Sequence, residues 1–410
     1  MMVKSINAKL RWMYMAAIYG ISLLYVMFQG GKTAFMLFII LNLLLLYLLL
    51  GHFSGIYRVH GKRTVKVEGD EVREPYIRAG TQLELELHIT IPGYYPLTYV
   101  IVRDYLKRHD GQLLMFEDSF LPTWRKGGRI AYKSPQLKRG GYTFQKTECL
   151  TYDVFGLFEH KGSFESGTEI AVQPQTVYLR SWDSLFKSQQ GLYAHAAASR
   201  SAKETTQLNG IREYLPGDRL SRVHWNATAK TGEWKSKAFE KESLPRMIVI
   251  LDCSKESYSS SGDDFELAVS AAASLLESGL RSNTAMGLLT TGHETAWFNP
   301  RADAWQKAAV LKHLTFAEPS GLQTLLEAVK HSEALLDKGG VVIVVSASPL
   351  VKLLPVLDWL QRRELHPHLI RTGAAEPGIE FRREQSIKWP IYSIHELHEL
   401  PAVLEGGGRR

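Results

Sequence analysis

An acid and a hydroxyl stand two positions apart directly after an apolar run of the chain. Asp252 and Ser254 follow Met247–Leu251, and the triplet Ser346-Ala347-Ser348 follows a second apolar run, Val341–Val345. Short β-branched runs of this kind predict buried strands of a parallel sheet, whose ligands bind outside the carboxyl ends of the strands. Carboxylate and hydroxyl oxygens are hard ligands suited to Mg²⁺ or Mn²⁺. The alternative is that Asp252 and Ser254 cap backbone amides where the strand opens into its loop.

A second concentration of chemically capable side chains lies between Gly210 and Lys230. Pro216-Gly217-Asp218 is a turn signal within it. The candidate partner-binding residues of this segment are Arg212, Tyr214, Asp218, Arg222, Trp225 and Lys230. Arg, Tyr and Trp are the usual anchors of protein interfaces, whereas basic side chains beside stacking aromatics also suit an anionic polymer. A structural interpretation stays open as well, with Asp218 paired to an arginine and Trp225 clamping two domains together.

The region that carries the Asp-x-Ser pair alternates strands with helices. Strand patterns cover 247–251, 285–291, 341–345 and 368–371, and helical patterns lie near 264–280, 302–314, 322–336 and 350–363. This alternation predicts an α/β domain over residues 246–410, with a parallel sheet covered on both faces. The sheet would place both oxygen-bearing sites at the ends of its strands.

The middle of the chain has the two-residue period of half-buried strands. Apolar and polar positions alternate along Leu83–Ile91, and further strand patterns include Tyr99–Val102 and Leu113–Phe116. Gly and Pro punctuate this region, and no amphipathic helix pattern interrupts it. We expect a small antiparallel β-sandwich, immunoglobulin-like, over residues 57–180, followed by a connector at 181–245 that contains the Pro-Gly-Asp turn.

The first 56 residues predict a transmembrane helical hairpin. Trp12–Phe28 and Thr33–Leu50 are almost wholly apolar, and each reaches about 27 Å as a helix, enough to cross a bilayer core. Only Gln29–Lys32 separates them, which leaves room for a tight turn alone. Basic residues precede the first span and follow the second, so the positive-inside rule places both termini in the cytoplasm of a cell-membrane protein. Because the spans carry no acidic residue, they favour an anchor over a transport path.

Composition and missing motifs exclude several kinds of site and partner. The 410 residues carry a net charge of +7, and their two cysteines, Cys149 and Cys253, form no zinc motif and no disulfide framework. No P-loop motif and no Gly-x-Ser-x-Gly elbow occurs, so ATP binding through a P-loop and an esterase elbow are excluded. Acidic side chains stand among the basic ones of the 210–230 segment, which makes nucleic acid an unfavoured partner.

The Asp-x-Ser strand end resembles the start of a metal-ion-dependent adhesion site of von Willebrand factor A domains. That pattern is Asp-x-Ser-x-Ser, with a threonine from a second loop and an aspartate from a third. The resemblance implies Mg²⁺ or Mn²⁺ bound by Asp252, Ser254, Glu256 in place of the second serine, and Thr290 or its neighbour Thr291. Ser346-Ala347-Ser348 stands where the late aspartate is expected, so the site is degraded relative to the pattern.

Chain-wide features resemble the bacterial "domain of unknown function 58" family. They include Lys138–Tyr142, Tyr152–Phe158 with Val154 in place of the usual proline, and the Pro-Gly-Asp segment followed by Arg222, Trp225 and Ala229-Lys230. The resemblance implies a membrane-anchored, multi-domain protein with a von Willebrand factor A-like α/β domain. It also implies a MoxR-type AAA+ ATPase and other membrane proteins as partners.

These observations favour a non-enzymatic protein-interaction module that helps to assemble or remodel a membrane complex. One alternative is a metal-dependent hydrolase at the membrane, with Asp218, His224 and Asp252 in one pocket, because metal-assisted hydrolysis needs converging carboxylates. The other alternative is a protein that binds an anionic polymer or nucleic acid, which would show steep salt dependence.

Overall fold

The computed structural model describes residues 8–51, 53–67, 70–71, 76–93, 95, 97–123, 127–180, 203–215, 220–242, 246–258, 262–373 and 388–405. The chain divides into two compact units, residues 1–173 and 174–410. The first unit contains the helical hairpin and the β-rich region. The second contains the 210–230 segment and the α/β region.

Two apolar helices open the described chain. Helix α1 spans Ala8–Gln29 and helix α2 spans Gly31–Gly51. Gly30 and Gly31 adopt φ angles of 57° and 84°, which glycine tolerates because it has no Cβ, so the chain reverses within the predicted turn. Both helices are long and apolar enough to cross a membrane, and little of either is buried within the protein. Helices that are apolar on every face are typical of bilayer spans.

The rest of the first unit is β-structure, as the two-residue period predicts. Its described strands are β1 His60–Val67, β2 Asp70–Glu71, β3 Tyr76–Arg78, β4 Glu84–Thr90, β5 Val100–Arg108, β6 Leu113–Phe120, β7 Gly127–Lys133, β8 Gly140–Phe144, β9 Thr147–Tyr152, β10 Glu159–Phe164 and β11 Glu169–Gln173. They form one sheet in the order β2-β1-β4-β7 and another in the order β10-β9-β5-β8-β11-β3, with β6 paired to β5.

The two sheets share a core. Leu87 and Ile89 of β4 lie in one apolar cluster with Val100 and Val102 of β5, so a strand of each sheet contributes to it. This face-to-face packing is what a sandwich requires. Most of the strand pairs are antiparallel, but β11 runs parallel to β3. The immunoglobulin-like assignment stays a prediction.

A buried ion pair crosses the core of this unit. Arg63 Nη2 lies 2.7 Å from Asp104 Oδ1, with both side chains almost fully enclosed. Thr147 Oγ1 donates to the same carboxylate oxygen at 2.8 Å, and Tyr132 donates its hydroxyl to the other oxygen. The Arg63 guanidinium also lies 3.9 Å from the centre of the Phe144 ring. The charge of Asp104 is therefore compensated by several donors, as burial demands.

The second unit combines a small hairpin with an α/β layer. Its described elements are β12 Lys203–Glu213, α3 Trp225–Thr231, β13 Lys235–Glu242, β14 Arg246–Leu251, α4 Asp263–Arg281, β15 Ala285–Thr291, β16 Thr295–Arg301, α5 Ala304–Phe316, α6 Leu325–His331, β17 Val341–Ser346, α7 Leu350–Arg362, β18 His366–Thr372, β19 Ile391–Ile394 and α8 Glu399–Glu405. Strands β12 and β13 pair antiparallel.

The remaining strands build one sheet in the order β16-β15-β14-β17-β18-β19. All neighbours run parallel except the edge strand β16, which the sequence patterns did not predict. One apolar cluster covers one face with α4, α5 and α8, and another covers the other face with α6 and α7. The predicted strand at 285–291 coincides with β15, and the four predicted helices correspond to α4 to α7.

Residues 174–180 pack with the second unit. The backbone amides of Val177 and Leu179 donate to the hydroxyls of Ser274 and Ser278 at 3.0 and 3.3 Å. These serines lie on α4, so residues 174–180 pack against the α/β layer. The sequence patterns instead place these residues at the end of the β-rich domain, residues 57–180. The first part of the predicted connector, residues 181–202, lies outside the described residues.

Candidate functional site

The candidate site lies where the strand order of the α/β sheet reverses. From β14 the chain continues to β15 on one side, whereas β17 pairs with the other side of β14. The carboxyl ends of β14 and β17 therefore border the crevice in which open α/β sheets bind ligands. Asp252 follows β14 directly, and Ser346 is the last residue of β17.

The Asp252 carboxylate is fully buried and accepts four hydrogen bonds. Oδ1 accepts from the amide and the hydroxyl of Ser254 at 2.9 and 2.7 Å. Oδ2 accepts from the hydroxyls of Ser257 and Ser346 at 2.6 Å each. A carboxylate offers about four lone-pair directions, and all four are used here. Burial of the charge is compatible with the fold because the donors replace water.

Two further contacts extend this serine network. Ser257 Oγ lies 2.5 Å from Ser254 Oγ and 2.6 Å from Ser348 Oγ. The amide of Ser348 donates to Ser346 Oγ at 3.0 Å. The network thus ties the loop after β14 to the loop after β17 through side chains that are distant in sequence.

Sequence reasoning missed Ser257. The residue lies at the end of a 3₁₀ turn, Lys255–Ser257, which brings its hydroxyl back over Asp252. The adhesion-site pattern places the second hydroxyl one position earlier, at Glu256. The sequence indicates this contact with Asp252 only through a serine one residue after the position that the pattern expects.

Glu256 and Thr290 do not join the network. The Glu256 side chain is 73% exposed and lies 3.3 Å from Lys352 Nζ. Thr290 Oγ1 lies 2.9 Å from Nε2 of His313, whose pKa is lowered by burial. Successive side chains of a strand face opposite sides of the sheet, and Thr291, not Thr290, faces the loop after β14, where it accepts from the Cys253 amide at 3.2 Å.

Two neighbours hold the Asp252 loop in shape. Gly321 donates its amide to the Cys253 carbonyl and accepts from the Lys255 amide, each at 2.9 Å. Tyr258 donates its hydroxyl to the Asp252 carbonyl at 2.6 Å. Burial, together with the nearby Asp252 charge, raises the pKa of Tyr258 well above its ordinary value. This tyrosine is therefore a neutral donor at physiological pH.

The predicted metal ligands do not converge in this arrangement. Of Asp252, Ser254, Glu256 and Thr290, the first two alone are in contact. The structurally described residues contain no group of three or more His, Cys, Asp or Glu side chains able to hold a metal ion. Hydroxyls and an amide occupy all four acceptor directions of Asp252, which favours the capping alternative, in which the carboxylate holds the two loops together. The Mg²⁺ or Mn²⁺ site stays a prediction.

The 210–230 segment forms the end of the β12–β13 hairpin and helix α3. His224 caps α3, because its Nδ1 accepts the Ala227 amide at 3.1 Å. Gly232 ends the helix with a φ of 76°, a conformation that favours glycine. Asp218 lies outside the described residues, and of Arg222 only the backbone is described, in the 3₁₀ turn Leu220–Arg222.

Three aromatic side chains of this segment meet at the surface. The ring centre of Trp234 lies 5.5 Å from that of Tyr214 and 6.0 Å from that of Trp225. Trp225 is 63% exposed and Trp234 is 51% exposed. We call Tyr214, Trp225 and Trp234 the aromatic patch. Trp234 was absent from the predicted set, because the hairpin turn that returns it to Tyr214 is not evident from the sequence.

Charged groups of both signs border the aromatic patch. Lys235 Nζ lies 3.1 Å from Glu233 and 3.7 Å from Glu213, and the hydrogen bond to Glu233 raises the pKa of this lysine. Arg212 donates to the Glu213 carbonyl, and Lys230 is exposed on α3. This mixture of signs resembles the rim of a protein interface rather than a surface for polyanions.

Residues 210–363 match the family described as "Protein of unknown function DUF58". The match includes the aromatic patch, the Asp252 loop and the two serines at the carboxyl end of β17, Ser346 and Ser348. The uncharacterized protein YeaD of Bacillus subtilis (strain 168) is 24% identical over 302 residues, which cover 72% of this chain and 71% of YeaD.

Three solved structures show a distant likeness to this chain. Proximal thread matrix protein 1 from the mussel byssus matches with a TM-score of 0.30 and 15% identity, over 40% of this chain and 47% of that chain. The chain therefore spans about half the length of that structure. The same mussel protein with a zinc-occupied MIDAS motif gives a TM-score of 0.29, and the C-terminal domain of wzt gives 0.23, with 12% identity over 32% of this chain and 88% of that domain.

Proposed function

We propose that this protein is a membrane-anchored, protein-interaction module that is not itself an enzyme. The apolar helices α1 and α2 hold it in the cell membrane, with both termini in the cytoplasm. The aromatic patch binds a protein partner. The observation that carries the proposal is the exposure of two tryptophans that contact each other within the DUF58-matching segment.

An exposed ring cluster has a physical cost that binding would remove. Trp and Tyr combine large apolar area with few rotatable bonds, and they supply much of the energy at protein interfaces. Leu215 and Leu220, which are close to these rings in sequence, are also exposed. A patch of rings with a charged rim has the composition of an interface centre and its border.

The partner we propose is a MoxR-type AAA+ ATPase, with further membrane proteins as clients. This proposal rests on the resemblance of the chain-wide motifs to the DUF58 family and on the cytoplasmic orientation inferred from the basic residues around the spans. The serine network around Asp252 supports this partner indirectly. It holds the loops at the carboxyl ends of β14 and β17 in one shape, and such loops give a partner a preorganised surface.

The arrangement gives little support to the hydrolase alternative. A general base needs a free lone pair directed at its proton. His224 uses Nδ1 to cap α3, and Asp252 accepts four hydrogen bonds. These two residues thus have structural tasks in the fold.

The test is binding of a purified MoxR-type ATPase from the same genome to the full-length protein in detergent, with ATP present. We expect the double variant Trp225→Ala/Trp234→Ala to weaken binding by roughly 30-fold or more, since loss of a single anchor typically costs about 2 kcal/mol. Trp305→Ala is the matched control, because Trp305 is also exposed but lies on α5, outside the aromatic patch.

Two results would count against the proposal. Equal affinity of the double variant and the control would remove the aromatic patch from the interface, and no binding by any variant would remove the ATPase as partner. A parallel assay with generic phosphoesters and Mg²⁺ addresses the hydrolase alternative. Turnover that disappears in Asp252→Ala would favour an enzyme.

A further inference from the structure

The loop between β9 and β10 lies against the ends of the two apolar helices. Phe158 packs on Trp12 of α1 with ring centres 4.7 Å apart. Phe155 meets Tyr47 of α2 edge-on at 6.2 Å, and the Val154 amide donates to the Tyr47 hydroxyl at 3.3 Å. We call residues 153–158 the β9–β10 loop.

These contacts fix the depth of the loop relative to the helices. Trp12 lies inside the candidate span Leu10–Gln29, and Tyr47 lies inside the candidate span that begins at Gly31. Tyr47 precedes the end of α2 at Gly51 by four residues, or about 6 Å at 1.5 Å per residue. A loop that touches both side chains must therefore lie alongside the first turns of α1 and the last turns of α2, and not beyond these two helix ends.

The Asp153 side chain closes the β9–β10 loop through hydrogen bonds to its backbone. The Asp153 carboxylate accepts the amides of Phe155, Leu157 and Phe158 at 2.8, 3.2 and 2.5 Å. This cap closes the turn and directs the two side chains at its tip outward. Val154 is 65% exposed and Phe155 is 59% exposed. The fold thus presents apolar side chains at the level of the helix ends instead of burying them.

The link between α2 and the β-sheets is equally tight. A Cβ on Gly162 of β10 would meet the Ile56 carbonyl at 1.8 Å, and one on Gly55 would meet the Pro92 carbonyl at 1.5 Å. Only glycine permits such close backbone approach. Residues 55 and 56, which follow α2, are therefore packed closely against β10 and against the Pro92 backbone.

Other side chains near this end of α2 have the composition of a membrane interface. Phe53 and Tyr57 are exposed, and the Arg58 guanidinium lies 5.2 Å from the centre of the Tyr57 ring. Aromatic rings prefer the headgroup level of a bilayer, and basic side chains next to a span attract anionic lipid.

We propose that the β9–β10 loop is inserted into the interfacial layer of the lipid bilayer, with Val154 and Phe155 at the boundary between headgroups and acyl chains. The proposal rests on the membrane anchoring proposed above. The β-sandwich is then seated on the membrane surface by its own loop as well as by the helices. The occupant of this apolar surface is lipid, because the loop is continuous with the apolar helices and is bordered by basic and aromatic side chains.

The test uses full-length protein reconstituted into vesicles of phosphatidylethanolamine and phosphatidylglycerol. An environment-sensitive fluorophore is attached at Val154→Cys, or at Leu113→Cys as control. Leu113 is 52% exposed and apolar, but it pairs with Lys107 at the far end of β5. Lys107 lies about 24 Å from Val100 at 3.4 Å per residue, and the Val100 end of β5 is the one that pairs with β9 close to the β9–β10 loop. The native cysteines are both buried, so labelling is confined to the introduced thiol.

We expect blue-shifted emission and strong quenching by shallow spin-labelled lipid at position 154, and water-like, weakly quenched emission at position 113. Water-like emission at position 154 would overturn the insertion of the loop if carbonate washing leaves the protein in the vesicles, because the anchor itself is then intact. Release of the protein by carbonate would overturn the anchor and the loop proposal together.

Discussion

The serine network makes a specific prediction about Asp252. In Asp252→Ala, the hydroxyls of Ser254, Ser257 and Ser348 keep one another as hydrogen-bond partners. Ser257 Oγ lies 2.5 Å from Ser254 Oγ and 2.6 Å from Ser348 Oγ. The Ser254 amide and the Ser346 hydroxyl are different, because the described residues offer them no acceptor other than Asp252. Two buried donors without partners cost about 1–3 kcal/mol each, so the local opening free energy should fall by about 2–6 kcal/mol.

Asp252→Asn should be much milder. Its amide oxygen still accepts from Ser254, and its amide nitrogen faces the Ser257 and Ser346 hydroxyls, which can rotate to accept. The loss of charge weakens the remaining hydrogen bonds by about 1–2 kcal/mol in total. A metal ligand would behave otherwise, since neutralising the single carboxylate abolishes binding as effectively as deleting it.

The assay is hydrogen exchange of peptides that cover β14 and β17 in the full-length protein, because exchange reports local opening directly. A central loss of about 4 kcal/mol corresponds to roughly 10³-fold faster exchange in Asp252→Ala, against roughly tenfold in Asp252→Asn. Glu256→Gln is the control, and its exposed contact with Lys352 predicts no measurable change. Equal effects of the two Asp252 variants, with Mg²⁺ protecting the wild type alone, would refute the capping role and restore the metal site.

Three further variants test other parts of the structure. Arg63→Met should destabilise the β-rich unit by about 3–5 kcal/mol, because it leaves Asp104 buried without its cation, and thermal unfolding that matches the wild type would contradict this. Gly321→Ala should disturb the loop after β14, since its Cβ would lie 2.6 Å from a carbonyl oxygen, whereas Gly292→Ala has ordinary contacts and should show native exchange. Burial lowers the pKa of His368 to about 4. Between about pH 6.5 and 4 this histidine is therefore protonated in the unfolded state and neutral in the folded state. As the pH is lowered across that window, the free energy of unfolding should decrease by up to about 3 kcal/mol. His368→Phe should flatten this dependence in acid-unfolding curves, and an unchanged slope would assign the acid sensitivity to other groups.

The sequence determined the features that depend on local patterns. Apolar runs of 17 and 18 residues separated by four residues specify two helices and the turn at Gly30 and Gly31. The alternation along Leu83–Ile91 specifies β4, because a strand places successive side chains on opposite faces. The Asp-x-Ser spacing likewise brings Ser254 onto Asp252, since two positions suffice for a side chain to cap its own loop.

The tertiary structure alone decided which distant residues meet. Ser346 reaches Asp252 across 94 positions because β17 pairs with β14, and no local pattern states which strands are neighbours. Thr291 rather than Thr290 faces the loop because the pleat of β15 decides which of two adjacent side chains points that way. Trp234 joins Tyr214 and Trp225 only once β12 and β13 pair. Spacing along the chain governs contacts within a few residues, whereas strand order and register govern the rest, and those are settled by the packing of the whole sheet.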